Sequence, residues 1–164
     1  MIAANAVKSV GFSALFGACA GLGSEVMAGC LDQARLTGVN VAGAEFNLKS
    51  LPGTPYKDYT YPVPGDLSFF VEQGANIIRF PFRWERLQPA LDGPLDAAEL
   101  GRMRASIASA NNRGLCVLLD LHNFAGYYSN KMGDDGPLDA AFIEFWLKVA
   151  KEFNPVKFNA DEWA

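Results

Sequence analysis

The stretch GLCVLLDLHNFAGYY, Gly114 to Tyr128, decides the reading of this chain, because it joins an apolar core strand, a polar exit and the only histidine. Cys116 to Leu121 offers six positions with only Asp120 charged, is bounded by Gly114, and runs into polar and aromatic residues. A short apolar run of that kind reads as a strand covered on both faces, since a helix of the same composition would run longer. His122 and Asn123 then fall where the strand ends, which in parallel α/β folds is where ligands bind.

Working outward, the same unit recurs. Leu36 to Phe46, LTGVNVAGAEF, reads as a strand in which Gly38 and Gly43 mark a close backbone approach or a bend. Asn47 to Pro64 is rich in Tyr, Pro, Gly and Lys without a period and reads as a long surface loop. Asp66 is placed as the N-cap of a short helix, DLSFFVEQG, with Leu67, Phe70 and Val71 on one face and Gly74 at its end. Asn76 to Phe82 follows as a strand. LDAAELGRMRASIASANNRG carries Leu95, Leu100, Met103 and Ile107 at helical spacing. After the Gly114 strand, FAGYYSNKMGDDGP reads as loop, and Leu138 to Phe153 as a helix with Ala141, Phe142, Phe145, Trp146 and Val149 on one side. Three strand-to-helix units call for a parallel sheet, in a barrel or an open doubly wound form.

Composition bounds the partners. The chain has 164 residues, half of them hydrophobic and 20% charged, which describes a globular domain. A net charge of -4 argues against nucleic acid, because no basic stripe is present to displace counterions. A neutral or weakly charged ligand fits better. Cys19, Cys30 and Cys116 show no metal-ligand spacing, and Cys116, inside an apolar strand, reads as a small buried hydrophobe rather than half of a disulfide. No metal site is expected.

Residues 1–35 read as a leader. Lys8 precedes the apolar run VGFSALFGACAGLG, with Ala18-Cys19-Ala20 as a cleavage site, and Val26-Met27-Ala28-Gly29-Cys30 loosely resembles a lipoprotein box with Cys30 as the lipid anchor. Secretion or delivery to a periplasm is the expectation, with a disordered tail as the alternative. A membrane-spanning helix is not expected, since about 20 apolar residues would be needed.

Several residues carry a chemical and a bland reading side by side. Arg79 interrupts an apolar strand and needs an acidic partner, because a buried unpaired charge is very unfavourable; its bland reading is an arginine that ties the barrel together. His122 is a site residue or a satisfied histidine at a strand end. Trp84, Tyr127 and Tyr128 are either sugar-stacking platforms or core and rim aromatics. Glu45 and Glu85 follow strand ends, where they could in principle act as acid and base, or be exposed loop glutamates or partners of Arg79, Arg83 or Arg86. Asp120 reads as a hydrogen-bonding support.

Taken in order, GVNVAGAEF, NIIRFPFRWERLQP and VLLDLHNFAGYY resemble the first three strands and following loops of glycoside hydrolase family 5, the cellulase family. The Gly-Asp-Asp-Gly-Pro loop and the helix after it are similar to the endoglucanase branch, so the likeness runs from about Leu36 to Phe153. The resemblance implies a (β/α)8 TIM barrel of which about the first three β/α units are present, over residues 36–164. It implies endo-β-1,4-glucanase-like hydrolysis of O-glycosidic bonds by the retaining mechanism, with β-glucan as substrate and no cofactor. Arg79 would then support the catalytic nucleophile, which would be its acidic partner, and His122 would lie beside the sugar at the cleavage point. Asn123, Trp84, Tyr127 and Tyr128 would bind substrate. The family's acid/base belongs to an Asn-Glu-Pro motif after the fourth strand and its nucleophile to a later strand, whereas this chain reads FNPVKFNADEWA from Phe153, and Glu162 does not match. A full barrel takes about 250 residues. The expectation is therefore an N-terminal fragment, ended by a frameshift or stop near Asn154, that is inactive alone or a silent, weakly glucan-binding piece. With an open sheet edge it would also self-associate or fold poorly.

Overall fold

The computed structural model describes residues 30, 33–133 and 136–153. The leader's Lys8, the Ala18-Cys19-Ala20 site and the residues after Phe153 lie outside these. Among the described residues no helix is long and apolar enough to cross a membrane.

Three parallel strands form the frame, in the order β1 (Gly38–Asn40), β2 (Ile77–Phe82), β3 (Cys116–Leu121). Ile77 pairs with Cys116 and Phe82 with Leu121, while β1 reaches only from Ile77 to Arg79. The connections are helical. α1 (Pro64–Glu72) follows the long loop, α2 (Trp84–Leu87) and α3 (Ala97–Asn111) follow β2, and α4 (Pro137–Phe153) follows β3. A small antiparallel pair, β4 (Gly126–Tyr127) with β5 (Asn130–Lys131), lies in the loop after β3.

The period of two along the strands sorts their faces. Ile78, Phe80 and Phe82 are buried beneath the helices, and Val117, Leu119 and Leu121 pack on the same layer. From α3 come Leu100 and Met103, and from α4 Leu138, Ala141, Phe145 and Val149, each on a helical stripe. Arg79 and Asp120 belong to the opposite face, which no helix covers among the described residues, and Leu118 there is 55% exposed. The expectation of a strand covered on both faces is thus corrected for the described residues, among which helices cover β3 on one face only.

Other departures have local causes. The first strand is three residues rather than eleven, because the chain turns at Gly43, whose carbonyl accepts from the backbone of Phe46 and Thr60. Both glycines of that segment are sterically required: a Cβ on Gly38 would lie 1.7 Å from the Ile77 carbonyl oxygen, and one on Gly43, at φ 151°, would lie 2.8 Å from that of Thr60. Helix α1 begins at Pro64, with Val63 as N-cap, and Asp66 sits at the third position, where its carboxylate accepts from the Val63 amide. A proline fits the first helical turn because its missing N–H has no intrahelical partner to lose. In α3 the cap is Asp96, which accepts from the Glu99 amide.

Cys30 and Cys116 are joined in a disulfide spanning 86 residues. This corrects two expectations. Cys116 is not a free buried thiol, and the Cys30 sulfur is not available for a lipid thioether. The apolar setting of Cys116 concealed the pairing, since buried thiols and buried half-cystines occupy the same kind of site. Nearby, Gln33 donates to the Cys116 sulfur and Asn76 donates to Gln33, so the segment before β1 is tied to the start of the sheet.

Candidate functional site

The uncovered face of the sheet and the C-terminal ends of β2 and β3 carry the polar side chains. Arg79 is 37% exposed in its side chain and lies between its neighbours, Asn40 on β1 and Asp120 on β3. It donates from Nη1 to Asn40 Oδ1 at 2.5 Å and from Nη2 to Asp120 Oδ2 at 2.6 Å. His122 Nδ1 stands 2.9 Å from the same Asp120 oxygen and 3.1 Å from Arg79 Nη2. The three side chains form one contact group. Its construction follows from the sheet: alternation puts Asp120 and His122 on one face of β3 and its exit, and parallel register brings Arg79 beside them. Asp120 on the adjacent strand is thus an acidic partner of Arg79. Below it, Gly38, Val39, Asn40, Ile77, Arg79 and Leu118 line a depression of about 270 Å³.

The aromatic residues divide differently from the expectation. Trp84 is fully buried, its ring 5.1 Å from that of Phe145 and 4.9 Å from that of Tyr127, and its indole donates to Gln88 Oε1 at 2.7 Å. Tyr127, 4% exposed, donates to the Gln88 carbonyl at 2.7 Å. Neither presents a face to a sugar. One turn of α2 carries the Trp84 ring inward, which the polar sequence around it did not reveal. Tyr128 remains at the surface, its hydroxyl near the Pro89 carbonyl, and burial followed by the Glu85 charge raises its pKa.

Asn123 is a pin rather than a free contact. Its amide oxygen accepts from the Trp84 backbone, and its two N–H groups go to Glu85 Oε2 and the Gly126 carbonyl, each at 2.9 Å. Glu85 is 2% exposed and also accepts from the Tyr128 amide at 2.7 Å. Glu45 accepts from its own loop at the Gly43 amide, and its carbonyl accepts from Arg83. Both carboxylates thus hold loops in place, which removes the case for a makeshift acid and base.

Phe124 is the rim residue that the sequence reading missed. It is 74% exposed and sits with Ala125 in the left-handed region, at φ 51° and 54°. Two non-glycine residues there carry strain, and strained exposed positions cluster at functional sites. Its ring centroid is 4.7 Å from that of His122, and the Arg83 guanidinium lies 5.5 Å from it. The signal available was an aromatic directly after the His-Asn pair.

A second polar cluster holds the long loop. Glu99, buried on α3, accepts from the hydroxyls of Tyr59 at 2.7 Å and Tyr61 at 2.5 Å and from Arg102 Nε at 2.8 Å. Arg86 lies 3.8 Å from the Tyr59 ring centroid and donates to the carbonyls of Ala44, Phe46 and Pro52. Burial first, and the neighbouring Glu99 second, raise both phenols well above their ordinary range. Burial lowers the pKa of Arg86. Among the described residues no group of three or more His, Cys, Asp and Glu is arranged to hold a metal ion.

Parallel strands alternating with helices define part of a (β/α)8 barrel, and the charged and aromatic corner lies at the C-terminal ends of its strands, the rim where such barrels carry ligands. The chain belongs to the cellulase family, glycosyl hydrolase family 5, whose pattern matches residues 39–158. It is 35% identical over 124 residues to the manganese dependent endoglucanase Eg5A of Phanerodontia chrysosporium, covering 73% of this chain and 31% of that protein. Among solved structures, XacCel5A in complex with cellopentaose is 46% identical, with a TM-score of 0.69, over 72% of this chain and 38% of that one. Pseudomonas stutzeri endoglucanase Cel5A in complex with cellobiose is 33% identical, with a TM-score of 0.70, over 73% of this chain and 36% of that one. The chain spans about a third of the length of these relatives.

Proposed function

We propose that these residues form the first three β/α units of an endo-β-1,4-glucanase-like glycoside hydrolase and that the Arg79–Asp120–His122 group is one wall of its β-glucan cleft. The observation that carries this reading is the joining of Arg79 and His122 through one carboxylate oxygen at the strand ends. Sugar would meet His122 and Arg79 by hydrogen bonds and the exposed Phe124 ring by its C–H face. Retaining hydrolysis needs an acid/base and a nucleophile about 5 to 5.5 Å apart. In this proposal neither is among the 164 residues, and the present residues bind and orient. The disulfide favours an oxidising compartment, in keeping with a secreted or periplasmic protein.

A second reading is a catalytically silent piece that binds glucan weakly. It would associate with further copies through the exposed edges of β1 and β3 and the Leu118 face. Incubation with a soluble cello-oligosaccharide separates the two. The chain alone is expected to release no reducing ends above a Glu45→Ala, Glu85→Ala control, and to bind the sugar reversibly. Turnover removed by those two changes would overturn the assignment of the chemistry to residues outside this chain, and absence of any binding would overturn the cleft.

A further inference from the structure

We propose that Asp120 is a positioning residue that fixes the tautomer of His122, keeping the proton on Nδ1 and leaving the Nε2 lone pair as an acceptor for a sugar hydroxyl. Two neighbours compete for Nδ1, the Asp120 carboxylate at 2.9 Å and the Arg79 guanidinium at 3.1 Å. Neutral imidazole has one N–H and one lone pair, so only one of these contacts is a hydrogen bond.

If Nδ1 were the lone pair, it would accept from Arg79 but would face a carboxylate oxygen at 2.9 Å, acceptor against acceptor, with the negative charge localised on two atoms. If Nδ1 carries the proton, it donates to Asp120, and the Arg79 contact becomes a donor set beside a donor at the longer distance. The guanidinium charge is spread over three nitrogens, and Arg79 already has Asn40 and Asp120 as acceptors for Nη1 and Nη2. At 37% side-chain exposure it also reaches water. The second arrangement makes a charge-assisted bond at the shorter contact and creates no close pair of acceptors. Asp120 Oδ2 accepts from both Arg79 and His122, as a carboxylate oxygen can. The edge-on Phe124 ring, 4.7 Å away between centroids, limits how the imidazole can turn.

The step from tautomer to sugar contact rests on the proposed glucan cleft, whereas the tautomer itself does not. Because His122 is the only histidine of the chain, its ring nitrogens are read without assignment ambiguity. The test is a long-range proton–nitrogen correlation spectrum of the uniformly 15N-labelled full chain at about pH 8, where an ordinary imidazole is neutral. The expected result is Nδ1–H in excess over Nε2–H by about tenfold or more, as a hydrogen bond to a charged group supports. Asp120→Ala should shift the ring toward Nε2–H, and Asp120→Asn, whose amide oxygen can still accept, should hold Nδ1–H. A wild-type spectrum dominated by Nε2–H overturns the proposal, with or without a folded alanine variant, and so does an alanine variant that keeps the wild-type pattern. Cellopentaose added to the same sample separates the two claims: Nδ1–H with no response to sugar leaves the tautomer standing and removes the cleft.

Discussion

Replacing Trp84 with Phe should destabilise the chain without weakening glucan binding by the folded protein. The ring is fully buried among Phe145, Tyr127 and Phe142, and its N–H is the partner of Gln88 Oε1, on a side chain that is itself 1% exposed. Phenylalanine keeps most of the apolar contact but leaves a space where the indole's second ring stood, at a cost of about 1 kcal/mol. It also orphans the Gln88 oxygen, and an unsatisfied buried acceptor costs about 1–3 kcal/mol. The sum, about 2–4 kcal/mol, is a large share of the ~5–15 kcal/mol that holds a typical domain folded. Urea denaturation followed by near-ultraviolet circular dichroism would read it as a lower midpoint. The double change Trp84→Phe, Gln88→Leu should recover part of the loss, because removing both partners leaves no orphan. A single variant within about 0.5 kcal/mol of wild type, combined with weaker cello-oligosaccharide binding, would refute this account and return Trp84 to the rim.

Phe124→Ala should do the opposite, leaving the urea midpoint nearly unchanged and weakening cello-oligosaccharide binding by isothermal titration, since the ring is 74% exposed. Cys116→Ser should lower stability by up to about 4–5 kcal/mol, the chain-entropy value for an 86-residue loop, and peptide mapping of the unsubstituted chain without reductant should recover Cys30 and Cys116 in one cross-linked species. At alkaline pH the sign is set by Tyr59 and Tyr61, whose folded pKa values are raised by burial and by Glu99. Their contribution is complete below the unfolded phenol value near 10 and declines as pH rises above it. A Tyr59→Phe, Tyr61→Phe variant should therefore be less stable at neutral pH and lose less on going to about pH 11, as measured by urea midpoints.

The sequence made some elements legible and hid others for identifiable reasons. β3 has the bounds read from its apolar run, and α4 starts one residue before the position read from its stripe of Ala141, Phe145 and Val149. Both signals are periodic and local. The first strand was overread, because LTGVNVAGAEF looks continuous while the chain leaves β2 after Asn40 and turns at Gly43. Arg79 was legible as a charge inside a strand and His122 as a polar residue at a strand end, but their link through Asp120 depends on the register of β2 and β3. Trp84 and Tyr127 were misassigned and Phe124 was missed for one reason: an aromatic in a loop carries no period, so only the turn of α2 and the loop after β3 decide which ring is buried. The disulfide and the Glu99 cluster join residues 86 and about 40 positions apart, separations that no local pattern encodes.

The central claim, that the strand-end group is a β-glucan-binding wall, is tested most directly by titrating cellopentaose into the 15N-labelled chain and following the His122 ring. The account predicts a saturable shift of the His122 resonances with cellopentaose, little response to the α-linked maltopentaose, and loss of the response in Arg79→Ala. No shift at saturating sugar, or an equal shift with both sugars, would contradict it.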